Sequence, residues 1–119
     1  MKKEDKELLF KDLCARLPYG VIVEYKRQEK EGDIKITCGN IGYVAELGNG
    51  WWKECKPYLR PMSSMTEEEK REYSLTKTLS IVDYPTLESF DWLNKNHFDY
   101  RGLIPKNIAL DCTGLHIYD

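Results

Sequence analysis

Nowhere does the sequence run through about 18 apolar residues, the length a helix needs to cross a bilayer, so no membrane-spanning segment is expected. Its four cysteines, Cys14, Cys38, Cys55 and Cys112, form no C-x-x-C pair, and the short ligand spacings of zinc sites are missing with it. Phosphate-cradling glycine motifs are absent, as are H-E-x-x-H and G-x-S-x-G, so neither a cofactor nor a metal is expected. There is no large excess of either charge: 18 basic against 20 acidic residues leave a formal net charge of −2. That excludes a strongly basic nucleic-acid binder and equally a DNA mimic. Gly/Ser tethers, internal repeats and low-complexity tracts are lacking too, and 119 residues read as one domain, 1–119. Lys2-Lys3-Glu4-Asp5-Lys6 leads into a mixed-charge helix, not an apolar signal-peptide core, which points to the cytoplasm. There the thiols are expected to stay reduced, each at an inward or half-buried position.

What the chain does have is concentrated in residues 51–73, which join a β-rich half to a helical half and hold Trp51, Trp52, Pro57 and Pro61. Thr66 followed by Glu69 fits a capping box, in which hydroxyl and carboxylate each satisfy the other residue's amide. Glu67, Glu68 and Glu69 sit where the helix dipole favours acids, and Lys70 and Arg71 follow within pairing distance, worth ~0.2–0.5 kcal/mol per pair. This helix has almost no apolar stripe beyond Tyr73 and Leu79, so it should lie on the surface.

In chain order, residues 5–17 read as an amphipathic helix with Asp5 as N-cap and Leu9, Phe10, Leu13, Cys14 and Leu17 on its apolar face. Asp12 and Arg16 fall away from that face, and Pro18 ends the helix by pushing Leu17 out of the α region. Period-2 alternation follows in 21–26, 34–38, 43–47 and 51–56, the last strand ended by Pro57. Short Gly/Asn turns between them imply a four-stranded antiparallel meander, covered by the first helix and possible in an SH3-like curled form. Tyr58-Leu59-Arg60-Pro61 resembles a strap crossing that sheet. A second compact helix opens at Thr86 as N-cap and runs to about Asn96, with Leu87, Phe90, Leu93 and His97 on one face and Trp92 roughly opposite. Pro105 sits second in a turn, and 108–110 and 115–118 look like two short strands, either joining the meander or forming a terminal hairpin. The fold class is therefore α+β: an N-terminal helix on an antiparallel meander, two helices, and a short C-terminal β segment.

Three functional readings compete. Aromatics and arginine framed by prolines make Trp51, Trp52, Tyr58 and Arg60 candidates for binding a protein partner, with Trp92 and Tyr100 as further aromatic candidates. In a regular strand the two adjacent tryptophans face opposite ways, so one is core and the other packs under 57–61 or meets a partner. The second reading is a single-strand nucleic-acid binder using Lys26, Arg27, Lys30, Lys35, Lys53, Lys56 and Arg60 with Tyr25 and Tyr58, weakened by interleaved acids. The third is a small hydrolase or transferase in which Asp99 orients His97 as base and Cys14, Cys38 or Cys55 supplies the nucleophile. Against it, residues two apart do not face each other in a helix, and Asp99 and Arg101 can equally cap the helix end or bridge to Arg60 or a glutamate.

The segments Leu13-Cys14-Ala15-Arg16-Leu17-Pro18-Tyr19-Gly20-Val21, Lys56-Pro57-Tyr58-Leu59-Arg60-Pro61-Met62-Ser63-Ser64-Met65-Thr66-Glu67-Glu68-Glu69-Lys70 and His97-Phe98-Asp99-Tyr100-Arg101-Gly102-Leu103-Ile104 resemble those of a family of small uncharacterised proteins of gut anaerobic bacteria, their phages and mobile elements. The likeness touches both ends and the middle of the chain. It implies a setting, a phage or mobile-element accessory protein, and no activity or catalytic residue. The leading expectation is a non-enzymatic protein-interaction module.

Overall fold

One strand, Glu54–Pro61, has neighbours on both sides and gathers the rest of the chain around it. The computed structural model describes residues 2–27, 30–36, 54–77 and 86–118. Their order is α1 (Lys3–Arg16), β1 (Val21–Arg27), β2 (Lys30–Ile36), β3 (Glu54–Pro61), a 3₁₀ turn (Met62–Ser64), α2 (Glu67–Leu75), α3 (Leu87–Lys95), β4 (Phe98–Asp99) and β5 (Leu110–Asp111). The sheet runs β2-β1-β3-β4, with β5 also on β3. Among the described residues the architecture is α+β, with three helices and a five-stranded mixed sheet. β1 pairs antiparallel with β2 and β3, whereas β4 and β5 pair parallel with β3. The C-terminal segment therefore extends the sheet through β5 and makes no terminal hairpin; residues 117–118 form a turn. The strand expected at 43–47 and the start of the one at 51–56 lie outside the described residues, as do Trp51 and Trp52.

Pro57 does not end its strand. β3 changes partner there: its pairing with β1 stops at Val23↔Pro57, and pairing with β5 begins at Tyr58↔Leu110. A residue without an amide hydrogen is tolerated where one ladder hands over to the next. The expected strap at 58–61 is thus the second half of a strand, continued by Arg60↔Phe98 and Pro61↔Asp99.

The core draws Leu9 and Leu13 from α1, Leu17 from its C-cap, Val21 and Val23 from β1, Leu59 from β3, and Leu103, Ile108 and Ala109 from the C-terminal turns. The buried face of α1 is rotated from the one expected. Phe10 is 48% exposed and Cys14 is exposed, while Asp12 and Arg16 are fully buried. Positions 9, 12, 13 and 16 share a helical face, and that face meets polar backbone: Arg16 Nη2 donates to the Phe98 carbonyl at 2.7 Å. Lys2, not Asp5, is the N-cap, without a side-chain bond, and Asp5 lies in the first turn beside Glu4. Leu17 keeps α geometry before Pro18. The chain leaves the helix at Gly20, whose φ of 81° glycine adopts without a Cβ penalty and whose amide bonds the Arg16 carbonyl at 3.0 Å.

Both later helices start as expected. Thr66 and Glu69 form the capping box reciprocally, at 3.1 and 3.0 Å, and no residue of α2 is buried. Thr86 caps α3 with Ser89 as its partner, and Thr86 Oγ1 also donates to the Thr76 carbonyl at 2.7 Å, tying the end of α2 to the start of α3. The apolar stripe expected on α3 narrows to Leu93. Leu87 is 84% exposed, and the helix instead seats Ser89 on Thr76 and Asn94 on Tyr100. The turn at Pro105 closes as its position implies, with the Asn107 amide donating to the Ile104 carbonyl at 2.9 Å.

Candidate functional site

The candidates separate into three environments. Tyr58 is buried between strands, its hydroxyl 3.1 Å from both Glu24 Oε2 and Asp33 Oδ1. These two acids face each other across β1 and β2, and one proton on Tyr58 can serve only one of them at a time. Burial, then the two carboxylates, push this hydroxyl's pKa upward. Tyr58 therefore cannot offer the stacking surface that the nucleic-acid reading needs. Lys53 and the side chains of Tyr25, Lys26, Arg27 and Lys30 lie outside the described residues; Lys56 Nζ is 3.4 Å from Asn107 Oδ1.

A second group is structural and buried. The Asp99 carboxylate accepts the amides of Leu103 and Ile104 at 2.8 and 2.9 Å, so it turns the chain and does not orient His97. Arg101 Nη1 reaches Asp12 at 2.9 Å and the Tyr100 hydroxyl at 2.7 Å, and Tyr100 in turn donates to Asn94 Oδ1 at 2.9 Å. Asp12 is also forked by Arg16, with Nε at 2.8 Å and Nη2 at 3.1 Å. In sequence Asp12 and Arg16 look like any exposed i,i+4 pair, and only the tertiary contact at Phe98 reveals them as buried.

The third environment is a cleft of about 450 Å³. Arg60 and Ser64 bound it from the end of β3 and the 3₁₀ turn, and Lys95, Asn96 and His97 from the end of α3. Cys112, Thr113, Gly114 and the 116–118 turn complete it. Of the candidates named from sequence it unites Arg60 and His97. The cysteine it brings is Cys112, which the sequence had not singled out as a nucleophile. Burial raises the Cys112 thiol, so it is no ready thiolate.

Arg60 is held rigidly. Its two terminal nitrogens fork the Glu69 carboxylate at 2.7 Å each, and its guanidinium lies 4.2 Å over the Phe98 ring. That fork holds the Glu69 carboxyl below its ordinary range, against some desolvation. Phe98 stacks on Trp92 at 5.6 Å and 12°, and Trp92 meets Tyr73 at 5.6 Å, so Trp92 is clamped between Tyr73 and Phe98.

His97 follows α3 with φ 66°, a left-handed position that helices usually give to glycine or asparagine. Its ring stacks on Tyr118 at 3.5 Å and 9°, and its buried Nδ1 has no hydrogen-bond partner. Burial first, then the charges of Arg16, Arg60 and Lys35, lower its pKa to about 4, so the imidazole is neutral near pH 7. In the unfolded chain it takes up a proton near 6.5, and folded only near 4. Folding is therefore progressively penalised as pH falls from about 6.5 to 4, by ~1–2 kcal/mol once screening of a partly exposed ring is allowed for. His97→Asn, which suits the left-handed backbone, should remove this acid limb from a plot of unfolding free energy against pH. An unchanged limb would assign it to other groups.

Tyr118 closes the far side. Continued by one residue, the β1–β3 register would pair Ile22 with Tyr58 directly. Instead the Tyr118 hydroxyl sits between them, accepting from the Ile22 amide at 2.9 Å and donating to the Tyr58 carbonyl at 2.7 Å. Tyr118→Phe should cost about 1–3 kcal/mol for each of the two backbone groups that stays unsatisfied, and speed hydrogen exchange at Ile22. Unaltered exchange there would show that the hydroxyl does not bridge the strands.

Among the described residues no group of three or more His, Cys, Asp or Glu is placed to hold a metal ion, and no helix is long and apolar enough to cross a membrane. Comparison with family models, with curated proteins and with solved structures finds no match to this chain.

Proposed function

We propose that the protein is a non-enzymatic interaction module that engages a protein partner through the distal half of β3 and the cleft beside it. The observation that carries this is the composition of the cleft. Arg60, Lys95, His97 and His116 line it, and among the described residues no aspartate or glutamate does. Among the described residues no hydrogen bond joins His97 to Cys112 or to Asp99, so a base and nucleophile are not linked. Recognition needs only this kind of fixed, polar concavity, and Arg60 is pre-oriented in it by Glu69. The likeness of three segments to proteins of gut anaerobes, their phages and mobile elements gives the proposed setting, a cytoplasmic accessory protein.

The proposal extends to the sheet. β1 is flanked by β2 on one side and β3 on the other. We read the sheet as the antiparallel meander expected from sequence, and the pairing of β1 with β3 supports the SH3-like curl.

The test is affinity capture of the tagged protein from native host lysate, with and without nuclease. A stoichiometric protein that survives nuclease and is lost on Arg60→Ala or Trp52→Ala establishes the module. Recovery only without nuclease replaces it with the nucleic-acid reading.

A further inference from the structure

We infer that Tyr118 is a wedge that holds the β1–β3 ladder open at its end, and that withdrawing its ring lets Ile22 and Tyr58 bond directly. The element has two positions: Tyr118 in the sheet, or the ladder longer by one pair. It goes beyond the interaction reading and stands without it. β1 and β3 pair from Lys26↔Glu54 to Val23↔Pro57, and the next pair in that register is Ile22 with Tyr58. The Tyr118 hydroxyl takes the Ile22 amide at 2.9 Å, donates to the Tyr58 carbonyl at 2.7 Å, and lies 3.4 Å from the Ile22 carbonyl. An amide and a carbonyl that share one hydroxyl in this way already face each other and can meet without it. Val21, Val23 and Leu59 around them are fully buried, which keeps the two strands aligned when the wedge leaves.

The segment that carries Tyr118 is built to move. Thr113, Gly114, Leu115 and His116 are four exposed residues in a row, between β5 and the buried hydroxyl. Exposed segments with little buried apolar surface open locally before the whole fold does. Gly114 has φ 81° and His116 φ 54°, and at His116 a side chain with a Cβ is strained, so release of the turn lets that backbone relax. Opening leaves no buried backbone group bare, because the direct Ile22–Tyr58 bond replaces the two made by the hydroxyl. The Tyr118 ring stacks on His97 at 3.5 Å, and both line the cleft. Whatever displaces the ring from that side therefore changes the sheet in the same event.

The experiment is amide hydrogen exchange on the full-length protein, with two substitutions at one position. Tyr118→Phe keeps the wedge and removes its hydroxyl, whereas Tyr118→Ala removes the wedge. Rates at Ile22 are read relative to Val23, which pairs with Ile34 in the neighbouring ladder, so that a general loss of stability cancels. The expected result is relative exchange at Ile22 about tenfold faster or more in Tyr118→Phe, and within about threefold of wild type in Tyr118→Ala. A cross-strand amide–amide NOE between Ile22 and Tyr58 should appear in Tyr118→Ala alone. Fast exchange at Ile22 in both variants without that NOE would overturn the proposal, because the strands then stand apart of their own accord and the hydroxyl merely bridges them. Failure of Tyr118→Ala to fold would overturn it as well, since Tyr118 would then be a strut that the sheet cannot lose. Unaltered exchange in Tyr118→Phe would reject it at the first step, by showing that the hydroxyl does not occupy the ladder.

Discussion

Asp12→Asn is expected to lower unfolding free energy by about 3–5 kcal/mol, the range found when one member of a buried ion pair is removed. Asp12 is the single carboxylate between two guanidiniums, Arg16 at 0% and Arg101 at 19% side-chain exposure. Neutralising it leaves two cations side by side, one of them fully out of water. Arg101 can turn toward solvent, but Arg16 cannot. Its remaining contacts are the Phe98 carbonyl and the Tyr100 ring at 5.4 Å, and Nη1 already lacks a hydrogen-bond partner. Arg16→Met should lose less, because Asp12 keeps Arg101. Asp12→Leu combined with Arg16→Met should recover most of the loss, since no charge then has to leave water. Urea unfolding of the three variants gives the ordering. A loss below about 1 kcal/mol for Asp12→Asn, the range of exposed pairs, would mean that water reaches this cluster.

Phe98→Ala is the second large effect, at about 3–5 kcal/mol for a buried phenylalanine cut back to a methyl. Phe98 is completely buried, with Trp92 stacked on one side and the Arg60 guanidinium over its ring. The loss should therefore reach beyond stability. With its aromatic platform gone, Arg60 loses one of the contacts that orient it beside Glu69, so binding in the cleft should weaken as well. Phe98→Leu keeps most of the apolar volume without the ring. It should recover much of the stability while leaving Arg60 mobile, which separates packing from positioning. Equal binding by wild type and Phe98→Leu would show that the platform does not hold Arg60 for its ligand.

Local signals in the sequence were legible wherever they act over a few residues. The capping residues Thr66 and Thr86, the turn at Pro105 and the surface position of α2 follow from hydrogen-bonding geometry that a short stretch contains in full. Signals that depend on a distant neighbour were not. Pro57 reads as a strand end until β5 is known to take over from β1 at the next residue. Asp12 and Arg16 read as solvent-facing until the Phe98 backbone and Arg101 are seen against them. The cleft was half legible: Arg60 and His97 stood out as residue types. Lys95, Cys112, His116 and Tyr118 join them only because β3 brings the 3₁₀ turn, the end of α3 and the chain's last turns together.

The partner change along β3 also bears on how the chain reaches its fold. β3 follows β1 in the chain, so one side of it can pair early. Its distal half, from Tyr58 to Pro61, waits for residues 98–99 and 110–111, and until they arrive the nascent strand presents unpaired backbone. Bare strand edges recruit other chains, and natural sequences blunt them with proline. Pro57 and Pro61 bracket the stretch that waits, and neither has a backbone donor to offer. The two residues that look like poor strand formers thus act as safeguards during synthesis, when β3 is complete and its last partners are not.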